Sequence, residues 1–365
     1  MALARAAPAG SAPGRRTAVF LLCAAAVVAL RLWLAVRSPR LLEFDQYWTP
    51  IARAQAEGRN LWTETDYHFF PPWAWLLGGF EAVARRGADF AAVQRTFLTL
   101  VDVGIAALLY RLGSRVAGAV SPRVAALSYL ANPVAIFVSS IQGQFDGLAL
   151  AFLVAAVLAT VERAEPRAAP WAGLLLGASV AAKQVTLFHP LLWLARRRGI
   201  TNVAIAYALP LATLAPYAGS FRAIARSLLV YYSVPRSYGL SELVLWDSRF
   251  GPAVGLLGAA AALLAIFWLR GRELTRSCLF LFLVLLFFAP GLGSQYLLWP
   301  LPFGALFGGG PYLAFTAASM LWTVGSFYGV PGSGQWMGQL VWLSVGVWMF
   351  FESRTLGAQA ARRPA

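Results

Sequence analysis

Lys183 is the only lysine among thirty basic residues, and it interrupts an apolar run with Gln184 directly after it. An ammonium in such a run is unfavourable without an anionic partner or a polar cavity. A phosphate group would be a natural partner, whereas an ammonium reaching the membrane interface on its apolar stem would need none. A second polar cluster, Ile141-Gln-Gly-Gln-Phe-Asp146, separates two apolar stretches. Its amides and carboxylate, Gln144 and Asp146 among them, suit sugar hydroxyls. The alternative is a helix-end turn in which Asp146 caps the next helix. A third group lies in the segment Leu41 to Trp73, where Glu43 and Asp45 stand beside Phe44, Tyr47 and Trp48. An acid partly desolvated by aromatics has a raised pKa and suits proton abstraction. The alternative is an exposed pair of loop acids beside an aromatic interface belt. His68 in the same loop, Arg236 and Arg249 between Arg226 and Phe250, and Gln295 with Tyr296 complete the candidates. Lys183, Arg236 and Arg249 are the candidate phosphate ligands. Glu43, Tyr47, His68, Gln144, Asp146, Gln184, Gln295 and Tyr296 are the candidate substrate contacts.

These residues are set in a chain built for lipid. Of 365 residues, 59% are hydrophobic and only 12% charged, about half the charge of an average soluble domain. Apolar runs fall near 18–36, 95–112, 121–139, 145–161, 170–182, 184–195, 203–219, 251–270, 277–290, 295–308, 311–328 and 338–353. They predict an all-α polytopic membrane protein of about 12 transmembrane helices, within a range of 10 to 13. The stretch 170–195 reads as two short helices broken at Lys183. The stretch 70–86 opens with Pro71-Pro72, holds Glu81 and ends in Arg85-Arg86, so it reads as a helix lying in the interface.

The net charge of +15 comes mostly from arginines at the ends of apolar runs, such as Arg196, Arg197 and Arg198. That is a positive-inside pattern rather than a nucleic-acid surface. It predicts cytoplasmic termini, with 37–94 and 220–250 on the outer side. The expected division is 1–16 as a disordered cytoplasmic N-terminus, 17–250 as one membrane module with its outer loops, 251–353 as further transmembrane helices, and 354–365 as a cytoplasmic tail. The first apolar run has no small-residue cleavage site and is expected to be a retained anchor. Cys23 and Cys278 both lie in apolar runs. With His68 and His189 the only histidines, a His-rich metal site is excluded and no divalent metal is expected. No internal period points to the inverted repeats of a transporter or lipid flippase, the rival class.

In combination the motifs resemble the GT-C superfamily of integral-membrane glycosyltransferases, nearest to polyprenyl- or dolichyl-phosphate-mannose-dependent mannosyltransferases. The matching pieces run in order over about 18–310: Asp45-Gln-Tyr47, Phe69-Phe-Pro-Pro-Trp73, Asn132-Pro133 leading to Gly143-Gln-Phe-Asp146, Ala172 to Gly177 leading to Lys183, and Ser294-Gln-Tyr-Leu-Leu-Trp-Pro300. The resemblance implies a seven-helix module, an acid of the first outer loop as general base (by position Asp45), and inversion at the sugar carbon. It implies a polyprenyl-phosphate sugar as donor, with no separate cofactor, and a glycolipid or glycan acceptor. It places the site on the outer face of a membrane, most simply a bacterial cytoplasmic membrane. Many relatives carry paired acids where this chain has Glu43-Phe-Asp45, which leaves open whether Glu43 shares the work.

Overall fold

The structure is a computed structural model that describes residues 13–162, 169–196, 199–229, 238–240, 251–291, 293–331 and 336–361. Among them are helices and turns and no strand. The first half contains α1 (Pro13–Arg37), α2 (Thr49–Ala56), α3 (Pro71–Ala84), α4 (Phe90–Gly113), α5 (Pro122–Leu130), α6 (Asp146–Glu162), α7 (Ala169–Ala182), α8 (Gly199–Thr213) and α9 (Phe221–Leu229). The second half contains α10 (Gly251–Trp268), α11 (Leu274–Phe287), α12 (Leu301–Phe307), α13 (Gly309–Phe327) and α14 (Gly338–Ala361).

Most predicted apolar runs form helices, but many are short. By length and composition, Gly14–Arg37 and Phe90–Gly113 are suited to cross a membrane. Pro122–Leu130 with Pro133–Gln142, bent by 43°, and Gly199–Thr213 with Ala215–Leu228, bent by 64°, raise that number to four if each counts as one span. Among the described residues, the expected twelve is therefore met in length by two to four. The expected helix over 184–195 is corrected: the chain is extended at Lys183 and continues as 3₁₀ turns, Gln184–Thr186 and His189–Trp193. Pro190 has no N–H for a regular helix there. Two expected boundaries also move. Helix α1 begins at Pro13, inside the stretch expected to be disordered, whose residues 1–12 lie outside the described ones. Helix α14 runs on through the expected tail to Ala361.

Large apolar side chains face outward along these helices: Leu22, Leu256 and Leu264 are each at least 70% exposed. In water such a surface would be a liability, but against hydrocarbon it is the solvated face. Some charged side chains do the opposite. Arg31, on the otherwise apolar α1, is fully buried and forms an ion pair with the fully buried Asp102 of α4. It also donates to Leu130 O at 3.0 Å, Ala135 O at 3.2 Å and Ser140 Oγ at 3.1 Å. Tyr129 donates to the other Asp102 oxygen at 2.7 Å. One guanidinium thus holds α1, α4, α5 and the turn after Pro133 together. Elsewhere, Gly173 and Gly177 let α7 approach α8 closely; a Cβ at Gly177 would lie 2.8 Å from Leu209 Cβ. Asn132 joins the halves by donating to Tyr312 at 2.9 Å and Thr316 at 3.1 Å.

The helix predicted over 70–86 exists as α3, and it is not isolated. It packs on α2 and shares a separate apolar core with Phe44, Trp48, Leu61, Tyr67, Phe69 and Phe145. The first long loop is therefore a folded cap on one end of the bundle.

Removing Arg31 strands a carboxylate inside the protein. Arg31→Met is expected to destabilise the protein by about 3–5 kcal/mol, with most of it regained in Arg31→Met/Asp102→Leu. Thermal unfolding in detergent reads both; equal losses in the single and double variants would refute the pairing.

Candidate functional site

The site forms where two π-helical turns meet under the cap. The first is Phe44–Trp48, preceded by Glu43; the second is Ile136–Gln142, followed by Gly143. A π turn inserts one residue into a helix and redirects the side chains around it. Gly143 takes a left-handed conformation, φ 72°, and a Cβ there would lie 2.6 Å from Phe44 Cζ. Only glycine lets the two turns come this close. Gln94 of α4 fixes the junction by donating to Gly143 O at 2.8 Å.

Between the turns lies a cavity of about 480 Å³. Glu43, Tyr47, His68, Gln144, Lys183, Gln295 and Tyr296 line it, so the structure gathers seven predicted site residues from four separated segments. Gln46, Trp48, Asp66 and Phe69 also line it and were not among the predicted site residues. In the sequence Trp48 entered only as an aromatic beside the acids and Phe69 only as part of a motif, and Asp66, two residues from His68, carried no spacing signal of its own.

Lys183 sits at the wall, 7% exposed, with its ammonium paired to the fully buried Asp146. Trp299 donates to the other Asp146 oxygen at 2.8 Å. Asp146 spends its oxygens on Lys183 and Trp299, although it opens α6. Lys183 is buried, with its nitrogen 4.3 Å from the Phe145 ring centroid and 5.5 Å from that of Phe69. Phe145 in turn stacks on Trp73 at 4.3 Å, which carries the cap core up to the ion pair.

Glu43 accepts from Gln144 Nε2 at 2.7 Å. Burial pushes its carboxyl above the usual carboxylate range; the Gln144 hydrogen bond and the Lys183 charge act in the opposite direction. Asp45 lies elsewhere. It is 56% exposed, pairs with Arg40 at 2.7 Å and does not line the cavity. Arg40 holds it on the outside of the cap through Thr49 at 2.9 Å. Of the two acids, Glu43 is the one that faces the cavity. On the far wall, His68 Nε2 lies 2.8 Å from Asp66 Oδ1 and its Nδ1 2.9 Å from Ser227 Oγ of α9. Gln184 lies behind this wall and donates to His68 O at 2.7 Å. Ser294 donates to Gln142 at 2.7 Å and anchors the segment bearing Gln295 and Tyr296. Arg236 and Arg249 lie outside the described residues.

The cavity thus offers one desolvated acid, several amides, aromatic faces and a cation already balanced by a carboxylate. That set suits the hydroxyls of a sugar and the removal of a proton from one of them. Among the described residues no cluster of three or more His, Cys, Asp or Glu is placed to hold a metal ion. No protein-family model matches the chain, and no curated protein matches it.

The Gln144 amide stabilises the charged form of Glu43. Gln144→Leu is therefore expected to raise the Glu43 pKa further. Infrared titration of the carboxyl band, with Glu43→Gln as the blank, measures it; an unchanged or lowered midpoint would contradict the hydrogen-bond geometry.

Proposed function

We propose that this protein is an integral-membrane glycosyltransferase. It moves a hexosyl group, mannose by resemblance, from a polyprenyl-phosphate donor to a lipid-linked or glycan acceptor on the extracytoplasmic side. The observation that carries this reading is Glu43 in the cavity, desolvated, hydrogen-bonded and surrounded by groups that suit sugar hydroxyls. The motif order and the apolar helices support it. In this reading the chain crosses the membrane about twelve times, with the cap outside, and the helices through α8 with the cap form the GT-C-like module.

The acceptor hydroxyl attacks the anomeric carbon from the face opposite the phosphate. A carbon–oxygen bond to the acceptor forms as the carbon–oxygen bond to phosphate breaks, and the electron pair leaves on the phosphate. The hydroxyl proton passes to Glu43, which therefore replaces Asp45 as the proposed base. A raised pKa makes Glu43 a stronger base than an ordinary carboxylate while leaving it ionised at higher pH. Lys183 faces the leaving phosphate. It shares its ammonium with Asp146, and an ammonium has three donors, so pairing leaves capacity for an incoming oxygen. Charge grows on the phosphate as the bond breaks, so this contact strengthens toward the transition state.

Turnover of polyprenyl-phosphate hexoses by purified protein tests the assignment. Glu43→Gln is expected to lose at least ~10²-fold and Asp45→Asn only a few-fold. Loss in Asp45→Asn with a fully active Glu43→Gln would return the base to Asp45. In the wild type, activity should fall as pH drops through the raised pKa of Glu43, because only the carboxylate accepts the proton.

Orientation has its own test. Cysteines replacing Arg59 in the cap and Arg115 after α4 are expected to label from opposite sides of sealed cells. Labelling from one side would overturn the proposed topology.

A further inference from the structure

The end of the bundle away from the cavity holds a second concave feature. A groove of about 510 Å³ runs between α1, α4 and α5. Its walls are almost entirely apolar, and Ala24, Ala106, Ala107 and Ala126 keep it open where larger residues would close the helices together. The groove ends at Thr17, Arg111 and Arg123. Arg123 donates to Thr17 Oγ1 at 2.8 Å. Arg111 uses one terminal nitrogen on both Glu162 oxygens, at 3.0 and 2.9 Å. Arg115 lies four residues beyond Arg111. Glu162 carries the negative charge that meets Arg111 and Arg115.

A flat apolar helix face gives a lipid nothing to distinguish one site from another, because hydrocarbon is as apolar as the face itself. This groove differs in two ways. It is concave, with small residues lining it along α1, α4 and α5, and among the described residues its end sets Arg111, Arg115 and Arg123 against Glu162. Basic pockets between transmembrane helices recognise anionic headgroups.

We propose that the α1–α4–α5 groove is a specific site for an anionic glycerophospholipid, with one acyl chain between the helices and the phosphate at Arg123 and Arg111. The lipid comes from the leaflet opposite the cap, so this site is separate from the proposed sugar-transfer cavity and does not depend on that reading. Occupancy fills the gap between α1 and its neighbours. It therefore stabilises the folded protein by mass action, in proportion to ligand above its dissociation constant.

The test uses full-length protein in a mild detergent, with native mass spectrometry and thermal unfolding. The probes are dioleoylphosphatidylglycerol, dioleoylphosphatidylcholine and inorganic phosphate. Phosphatidylglycerol is expected to remain bound at one copy and to raise the unfolding temperature, with at least tenfold weaker retention of phosphatidylcholine. Ala107→Trp fills the groove from an exposed position on α4, and Arg123→Gln removes headgroup charge. Each is expected to weaken phosphatidylglycerol retention at least tenfold while the unfolding temperature without added lipid stays near that of the wild type. Arg354→Gln, on α14, is expected to change nothing. Equal retention of both lipids by the wild type, or unchanged phosphatidylglycerol retention in both groove variants, would overturn the site. Stabilisation by inorganic phosphate equal to that by phosphatidylglycerol would overturn the lipid as its ligand.

Discussion

The Lys183–Asp146 ion pair is the joint on which the cavity hangs. It connects the end of α7 to the start of α6, and Trp299 ties it to the segment before α12. Two charges removed from water attract strongly at low dielectric, but their desolvation cancels much of the gain. Such a pair contributes position more than stability. Lys183 meets Asp146 only if α7 ends at Ala182 and the backbone extends at 183, and this is the observed conformation. Once the pair is made, Phe145 is held against the ammonium, and Trp48, Phe69 and Trp73 close around Phe145. The cap therefore sits on the bundle through aromatic faces that end at a charge. The polar cavity lies on the other side of those faces.

Position is also what the π turns supply. Regular helices through Phe44–Trp48 and Ile136–Gln142 would direct their side chains differently, and the contact between Phe44 and Gly143 would be lost. Glu43 lies just before the first turn and Gln144 just after the second, so one tight approach brings both to the same place. The desolvation of Glu43 is a consequence of this closure. An acid on the open rim, as Asp45 is beside Arg40, has water and a neighbouring cation instead.

The parts of this arrangement that were legible in the sequence are those written in single residues or long periods. A lone lysine in an apolar run signalled the break at 183. Pro71-Pro72 marked the start of α3, and long apolar runs marked α1 and α4. What stayed hidden depended on partners far along the chain. Glu43 and Asp45 stand two positions apart, and helical phase alone decides which one turns inward. A local π turn set that phase, and no short pattern announces one. Arg31 carried no signal of its own in the sequence, because its acid lies in another helix. The 3₁₀ turns after Lys183 were hidden for a similar reason: the apolar run continues, while Pro190 and tertiary contacts break its helical form. The continuation of α14 beyond 353 rests partly on contacts of its own end, such as Arg272 donating to Leu356 O at 2.6 Å.

The Arg31–Asp102 pair also has a bearing on how the chain is made. The partners are 71 residues apart. At ribosomal speeds of ~5–20 residues per second, Arg31 emerges about 4–14 s before Asp102 does. During that interval α1 must hold an unpaired guanidinium. Even at the centre of a helix an arginine opposes insertion by only about 2.5–3.5 kcal/mol, and the leucines, valines and alanines around Arg31 can outweigh that. The strongly apolar sequence of α1 thus serves a moment that the finished fold no longer displays: it lets the helix wait in the membrane until α4 arrives with the counter-charge.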